Sequence, residues 1–336
     1  MPARTSWSSP RSASVSTPSA RTRRPPGGRR IPVRVDFVTC DVFTSRPFAG
    51  NPLLVVPDAS GLGAASMQAI AREINYSEST FVLPADDPAH AYRQRTFVPL
   101  AEIPYAGHPT VGTALVLSWL GRVAPPSGGT GTAAITIEVG FGPLPLDVRF
   151  EAARATRVRM AQGKPEWGEP VRDPAFLARL SEGLRIPRDA VGGGLPVRAV
   201  STGNRFLIVP VGSVAALEGA DPDPRLVVAV ERELGTLGTY AFAFAPGGRI
   251  RARGFASGAG VPEDPATGSA AGPLGIYLAL ERALPDPAGR FLVDQGIEMG
   301  RPSELEVEVD RREDGTPAGV HVSGSAVRMM TGSLEV

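Results

Sequence analysis

Two short stretches of the chain recur in the same order about half a chain apart, and this repeat constrains the fold more than any other feature. Gly50-Asn51-Pro52-Leu53-Leu54-Val55-Val56-Pro57 is matched by Gly203-Asn204-Arg205-Phe206-Leu207-Ile208-Val209-Pro210, at an offset of 153. Further on, His108-Pro109-Thr110-Val111-Gly112-Thr113-Ala114 is matched by Asp264-Pro265-Ala266-Thr267-Gly268-Ser269-Ala270, at an offset of 156. Between them, Ala71-Arg72-Glu73-Ile74 loosely resembles Glu231-Arg232-Glu233-Leu234. Coincidence covers one short match; two in order at nearly one period argue for two related lobes. We place the first lobe at residues 31–155 and the second at 156–336, with the boundary in Glu151 to Pro170 and the last strand returning to the first lobe.

Each lobe reads as mostly strand with one or two helices. Val33 to Val42, Leu53 to Val56, Thr80 to Leu83 and Tyr92 to Phe97 are β-rich and bounded by turn residues. Arg198 to Ser201, Phe206 to Val211, Tyr240 to Ala245 and Ile250 to Phe255 do the same in the second half. Helical spacing marks Met67 to Glu73 and Pro224 to Leu234, and the apolar run Thr110 to Leu120 fits a buried helix. That run is too short to span a bilayer, so no membrane partner is expected and the body reads as soluble and cytoplasmic.

Charge is unevenly placed. Residues 1–30 hold seven arginines and no acid, while the other 28 basic and 34 acidic residues leave the body at −6. The tail has too little apolar content to form a core and reads as disordered and dispensable. An acidic body argues against nucleic acid as a partner. Cys40 is the only cysteine, which excludes a disulfide framework and a two-cysteine catalytic pair within one chain. Lys164 is the only lysine, without a phosphate-loop motif around it. His90, His108 and His321 lack short-range ligand spacing, so no metal is expected.

Asp264-Pro265 has the grammar of a helix start, with Asp264 as N-cap and Pro265 at the first helical position. His108-Pro109 repeats it in the first half. The first turn of a helix exposes unpaired N–H groups at the positive end of its dipole, which suits a carboxylate. Glu78, in Tyr76-Ser77-Glu78-Ser79-Thr80-Phe81, falls between a helix and a strand, where a side chain can face a cleft; its partner in the loose repeat is Gly238. Asp-Pro is also an ordinary cap, and a turn glutamate is ordinarily a solvated charge, so the residues alone leave both readings open.

Taken in order, Gly50-Asn51-Pro52, Ser77-Glu78-Ser79-Thr80-Phe81, Phe97-Val98-Pro99 through Glu102-Ile103-Pro104-Tyr105-Ala106-Gly107-His108-Pro109-Thr110, Ser201-Thr202-Gly203-Asn204 and Glu263 through Gly272 resemble the PhzF-like phenazine-biosynthesis isomerase family. The matching pieces spread over roughly residues 33–280. The resemblance implies an α+β, diaminopimelate epimerase-like fold: two pseudo-symmetric lobes, each a curved sheet or barrel around a central helix, with the active site between them. It implies a homodimer, a small carboxylated substrate and no metal or organic cofactor. Carried over by position, Glu78 becomes the central acid/base, and His108, Asp264 and Ser269 line the pocket. Asn51, Ser77, Gly107 and Gly268 then contact substrate. The family reaction isomerises trans-2,3-dihydro-3-hydroxyanthranilate; the alternatives are an epimerase or racemase on another amino-acid-like acid, and a binding protein without turnover. Members usually carry Pro in the run before Glu263, where this chain has Phe255-Ala256-Ser257.

Overall fold

Two thirteen-residue helices, Gly107–Trp119 and Gly268–Leu280, carry apolar or small residues on every face. A helix of that kind is stable only when enclosed on all sides, and the computed structural model, which describes residues 34–336, encloses both. The expectation for residues 1–30 lies outside the described residues. Strands Arg34–Val42, Asn51–Val56, Glu78–Leu83, Arg154–Ala161 and Ala326–Glu335 pack on the first helix. Strands Arg198–Ser201, Arg205–Pro210, Ser303–Arg311 and Pro317–Gly324 pack on the second. Hydroxyls inside the first helix stay satisfied by bonding back one turn: Thr110 Oγ1 donates to the Ala106 carbonyl (2.9 Å) and Ser118 Oγ to that of Ala114 (2.7 Å).

The two halves share one sheet of 18 strands among the described residues. Arg154–Ala161, inside the stretch read as a boundary, pairs antiparallel with Gly142–Glu151 on one side and Pro317–Gly324 on the other. The last strand, Ala326–Glu335, runs antiparallel along Arg34–Val42. Outside the sheet, helix Ala64–Ile74 covers Leu54, Val56, Phe81 and Phe97. Helices Pro174–Leu184 and Pro224–Leu234 cover Leu207, Val209 and Ala241. Cys40 is a small buried strand residue whose thiol is pushed up by burial and kept protonated.

Strand register upholds one part of the sequence repeat, and the helix starts correct another. Leu53 pairs with Glu78 in parallel, and its counterpart Phe206 pairs in parallel with Gly238, so Glu78 and Gly238 occupy equivalent places. The covering helices Ala64–Ile74 and Pro224–Leu234 keep the same spacing as that pair. The enclosed helices, however, start at Gly107 and Gly268, which makes Ser269, not Asp264, the counterpart of His108. Asp264 is not an N-cap. It ends the strand Val261–Asp264, and the N-cap of the following helix is Thr267. True Asp-Pro caps do occur: Asp173 accepts from the N–H of Ala175 and Phe176, and Asp223 from that of Arg225. Asp264 cannot do this because both its oxygens are held by side chains.

Candidate active site

The N-termini of the enclosed helices meet head to head. A Cβ on Gly107 would stand 2.7 Å from the Ser269 nitrogen, and one on Gly268 would stand 3.1 Å from the Phe43 ring. Bulk is therefore excluded at both glycines by the opposite helix and by Phe43. Neither N-cap residue, Ala106 nor Thr267, supplies a side-chain cap. Two uncapped positive helix ends converge here and favour negative charge between the lobes.

Asn51 stitches this junction together. It is fully buried, and its Nδ2 lies 2.8 Å from Asp264 Oδ1, 3.0 Å from the Ala266 carbonyl and 3.2 Å from His108 Nδ1. Its Oδ1 accepts from Ser77 Oγ at 3.0 Å. Asn51 is aimed by the turn before it: Gly50 has φ +69°, and a Cβ there would sit 2.3 Å from the Val42 carbonyl. Arg301 holds the same turn, donating to the Gly50 carbonyl (2.8 Å) and to Asp41 Oδ1 (2.7 Å).

His108 Nδ1 faces an amide group that only donates, so Nδ1 carries the lone pair and the proton sits on Nε2. Nε2 is 3.5 Å from Glu78 Oε2 without bonding to it, and neither atom has a hydrogen-bond partner. Burial pushes the His108 imidazole down to about 3, so it stays neutral. Glu78 begins its strand, keeps 16% side-chain exposure and opens into a cavity of about 300 Å³. Burial, then the neighbouring Asp264 charge, pushes its carboxyl up to about 8, against a smaller pull from the Ser77 hydroxyl. Asp264 is raised to about 6 by burial, held down by hydrogen bonds from Thr267 and Asn51. Two raised carboxyls line one cavity, and the charge on Asp264 disfavours ionisation of Glu78.

Glu78, Asp264 and Ser269 line the cavity as the sequence suggested. His108, Asn51, Ser77, Gly107 and Gly268 are not among its lining residues and stand behind them. Sequence reasoning missed Asn204 and Thr267 on the wall, and Gln295 and Tyr240 behind it. Most of the remaining wall is apolar, its bulk supplied by Val98, Leu100, Ile103, Phe206, Leu237 and Phe255. The only charged side chains lining the cavity are the two acids.

Comparison with known proteins agrees with this architecture. A family model described as phenazine biosynthesis-like protein matches residues 40–332. A trans-2,3-dihydro-3-hydroxyanthranilate isomerase from Pseudomonas aeruginosa is 36% identical over 296 residues, 88% of this chain and 98% of that protein. The crystal structure of a Bacillus anthracis phenazine biosynthesis protein of the PhzF family superposes with a TM-score of 0.79 at 27% identity, covering 90% of this chain and 100% of the other. A predicted epimerase from Pseudomonas aeruginosa gives 0.74 at 34% identity, covering 89% and 99%. A hydroxyproline epimerase from Agrobacterium vitis, 11% identical, shares the fold with a TM-score of 0.64 over 90% of this chain and 93% of its own. With matches over nearly the whole length from Cys40 on, the chain belongs to the PhzF-like isomerase family.

Proposed function

We propose that the protein isomerises a small carbocyclic acid of the trans-2,3-dihydro-3-hydroxyanthranilate type by moving one proton, with Glu78 as the acid/base. The observation that carries this reading is a single cleft-facing glutamate, raised to about 8, whose counterpart in the other lobe is Gly238. A carboxyl in that range is partly ionised at neutral pH and can both take and return a proton. The ionised carboxylate removes the proton from C3 of the ring; the electron pair shifts through the conjugated system, and the new carboxyl proton is delivered to C1 on the same face. Neutral His108, whose Nε2 faces Glu78 Oε2 at 3.5 Å, steadies the Glu78 carboxylate by closing to hydrogen-bond distance while it is charged. Asp264 meets the substrate amino group, and the paired helix ends meet its carboxylate. The apolar wall favours a ring over a polar chain.

The test is to incubate the protein with trans-2,3-dihydro-3-hydroxyanthranilate in D₂O and follow C1 and C3 by NMR. Conversion to the keto isomer supports the reading, and an unchanged substrate overturns it. The 34% identical predicted epimerase favours a second reading, epimerisation of an amino-acid-like acid. Solvent deuterium entering the α-position of such an acid, with no conversion of the dihydroanthranilate, would select it.

A further inference from the structure

Gln295 lies at the end of strand Arg290–Gln295, is fully buried, and is not itself among the residues lining the cavity, though it hydrogen-bonds Thr267 and Asp264, which are. All four of its hydrogen-bonding positions are used. Its Oε1 accepts from the Tyr240 hydroxyl (2.8 Å) and from the Thr267 N–H (3.0 Å). Its Nε2 donates to the Asp264 carbonyl (2.7 Å) and to Thr267 Oγ1 (2.9 Å). The Thr267 N–H, which can only donate, on one side and the Asp264 carbonyl, which can only accept, on the other fix the amide in one orientation. Thr267 Oγ1 must then accept from Gln295, which leaves its own hydrogen for Asp264 Oδ2 at 2.8 Å. Asn51 supplies the matching bond to Oδ1.

We propose that Gln295 is a positioning residue: through Thr267 it sets the direction of the hydrogen bond onto Asp264, and so decides that Asp264 is the ionised member of the Glu78–Asp264 pair and Glu78 the member that carries the proton. Gln295 belongs to no repeat or motif of the sequence, and Gly254 beside it leaves the room it needs, since a Cβ there would stand 2.6 Å from Thr267 Oγ1 and 3.0 Å from Gln295 Nε2. Three other titratable groups lie around Asp264. His108, from the first enclosed helix, is neutral; Tyr240, from strand Gly238–Ala245, is kept protonated by burial; Glu263, next along the strand, is paired with Arg253 at 2.8 Å. That leaves Glu78, from its own strand, as the other carboxyl that lines the same cavity, and the charge on Asp264 raises it.

The inference rests on Glu78 and Asp264 working as a pair, but its test needs no substrate. In protein labelled with ¹³C at Asp and Glu carboxyls, the two signals are assigned by their loss in Glu78→Gln and Asp264→Asn, and each is titrated. Gln295→Leu and Thr267→Val should each raise the Asp264 midpoint by about one pH unit, the worth of one hydrogen bond to a charged group. The double variant should go no further than either alone, and Thr267→Ser, which keeps the hydroxyl, should titrate like the wild type. A folded Gln295→Leu with an unmoved Asp264 midpoint overturns the proposal. If Gln295→Leu does not fold, equal midpoints in Thr267→Val and Thr267→Ser overturn it as well.

Discussion

The two lobes repeat a scaffold but not a chemistry. At the strand position beside the cleft, the first lobe has Glu78 and the second has Gly238. At the second residue of the enclosed helix, the first has His108 and the second Ser269. The asymmetry is enforced by packing as well as by residue type, because a Cβ at Gly238 would lie 2.4 Å from the Phe255 carbonyl. No side chain fits there without moving the adjoining strand. The second lobe contributes instead Asp264, from a strand end that bears no resemblance to the place of Glu78. On the proposed reading, proton transfer from one side of the cleft follows from that difference.

The comparison breaks most directly at Glu78. Glu78→Gln keeps size and most hydrogen bonding while removing the titrating group, and kcat should fall roughly 10²–10⁴-fold with little change in KM. Asp264→Asn should lose less, about 10–100-fold in kcat/KM and divided between the two constants, since it removes a charge that meets substrate and raises Glu78. Steady-state kinetics on the dihydroanthranilate separates the two; a dead Asp264→Asn beside an active Glu78→Gln would reverse their roles. Gly238→Ala sharpens the packing side of the argument: denaturant melts should show a loss of about 1–3 kcal/mol, whereas wild-type stability would mean that the second lobe could have kept a side chain.

The smallest expected effect is one of stability against pH. Glu78 is raised in the folded protein from 4.5 to about 8, so its contribution is fully present below the ordinary glutamate range and is lost as pH rises through 8. Glu78→Gln does not suffer that loss. It should melt at least about 3 °C above the wild type at pH 9 and level with it at pH 4. Equal melting at both values would mean that the carboxyl is not held up by burial.

Much of the frame is legible because it depends on local pattern. The β-rich runs, the covering helix Pro224–Leu234 and the enclosed helix of the first lobe were all readable from spacing and apolar content. The Glu78–Gly238 match also survives, since strand register fixes it independently. Asp264 shows where local grammar stops. Asp173-Pro174 and Asp223-Pro224 cap helices as the pattern says, but the oxygens of Asp264 are taken by Thr267 and by Asn51, 213 residues away in sequence. A cap preference worth about 1 kcal/mol yields to such a contact, and the helix begins later. Gln295 and Arg301 lie outside every repeated or motif-bearing segment, and only the folded chain brings them to the site. The apolar wall was invisible for a similar reason: Leu100, Phe206 and Leu237 come from separate loops and strands and share no sequence pattern.

The central claim is that one carboxyl both removes and returns the proton, and tracing that proton tests it most directly. In a single turnover of trans-2,3-dihydro-3-hydroxyanthranilate carrying deuterium at C3, run in ordinary water, part of the deuterium should reappear at C1 on the face it left. A product with no deuterium at C1, and with its new hydrogen on the opposite face, would require a second acid across the cleft and would contradict the assignment to Glu78.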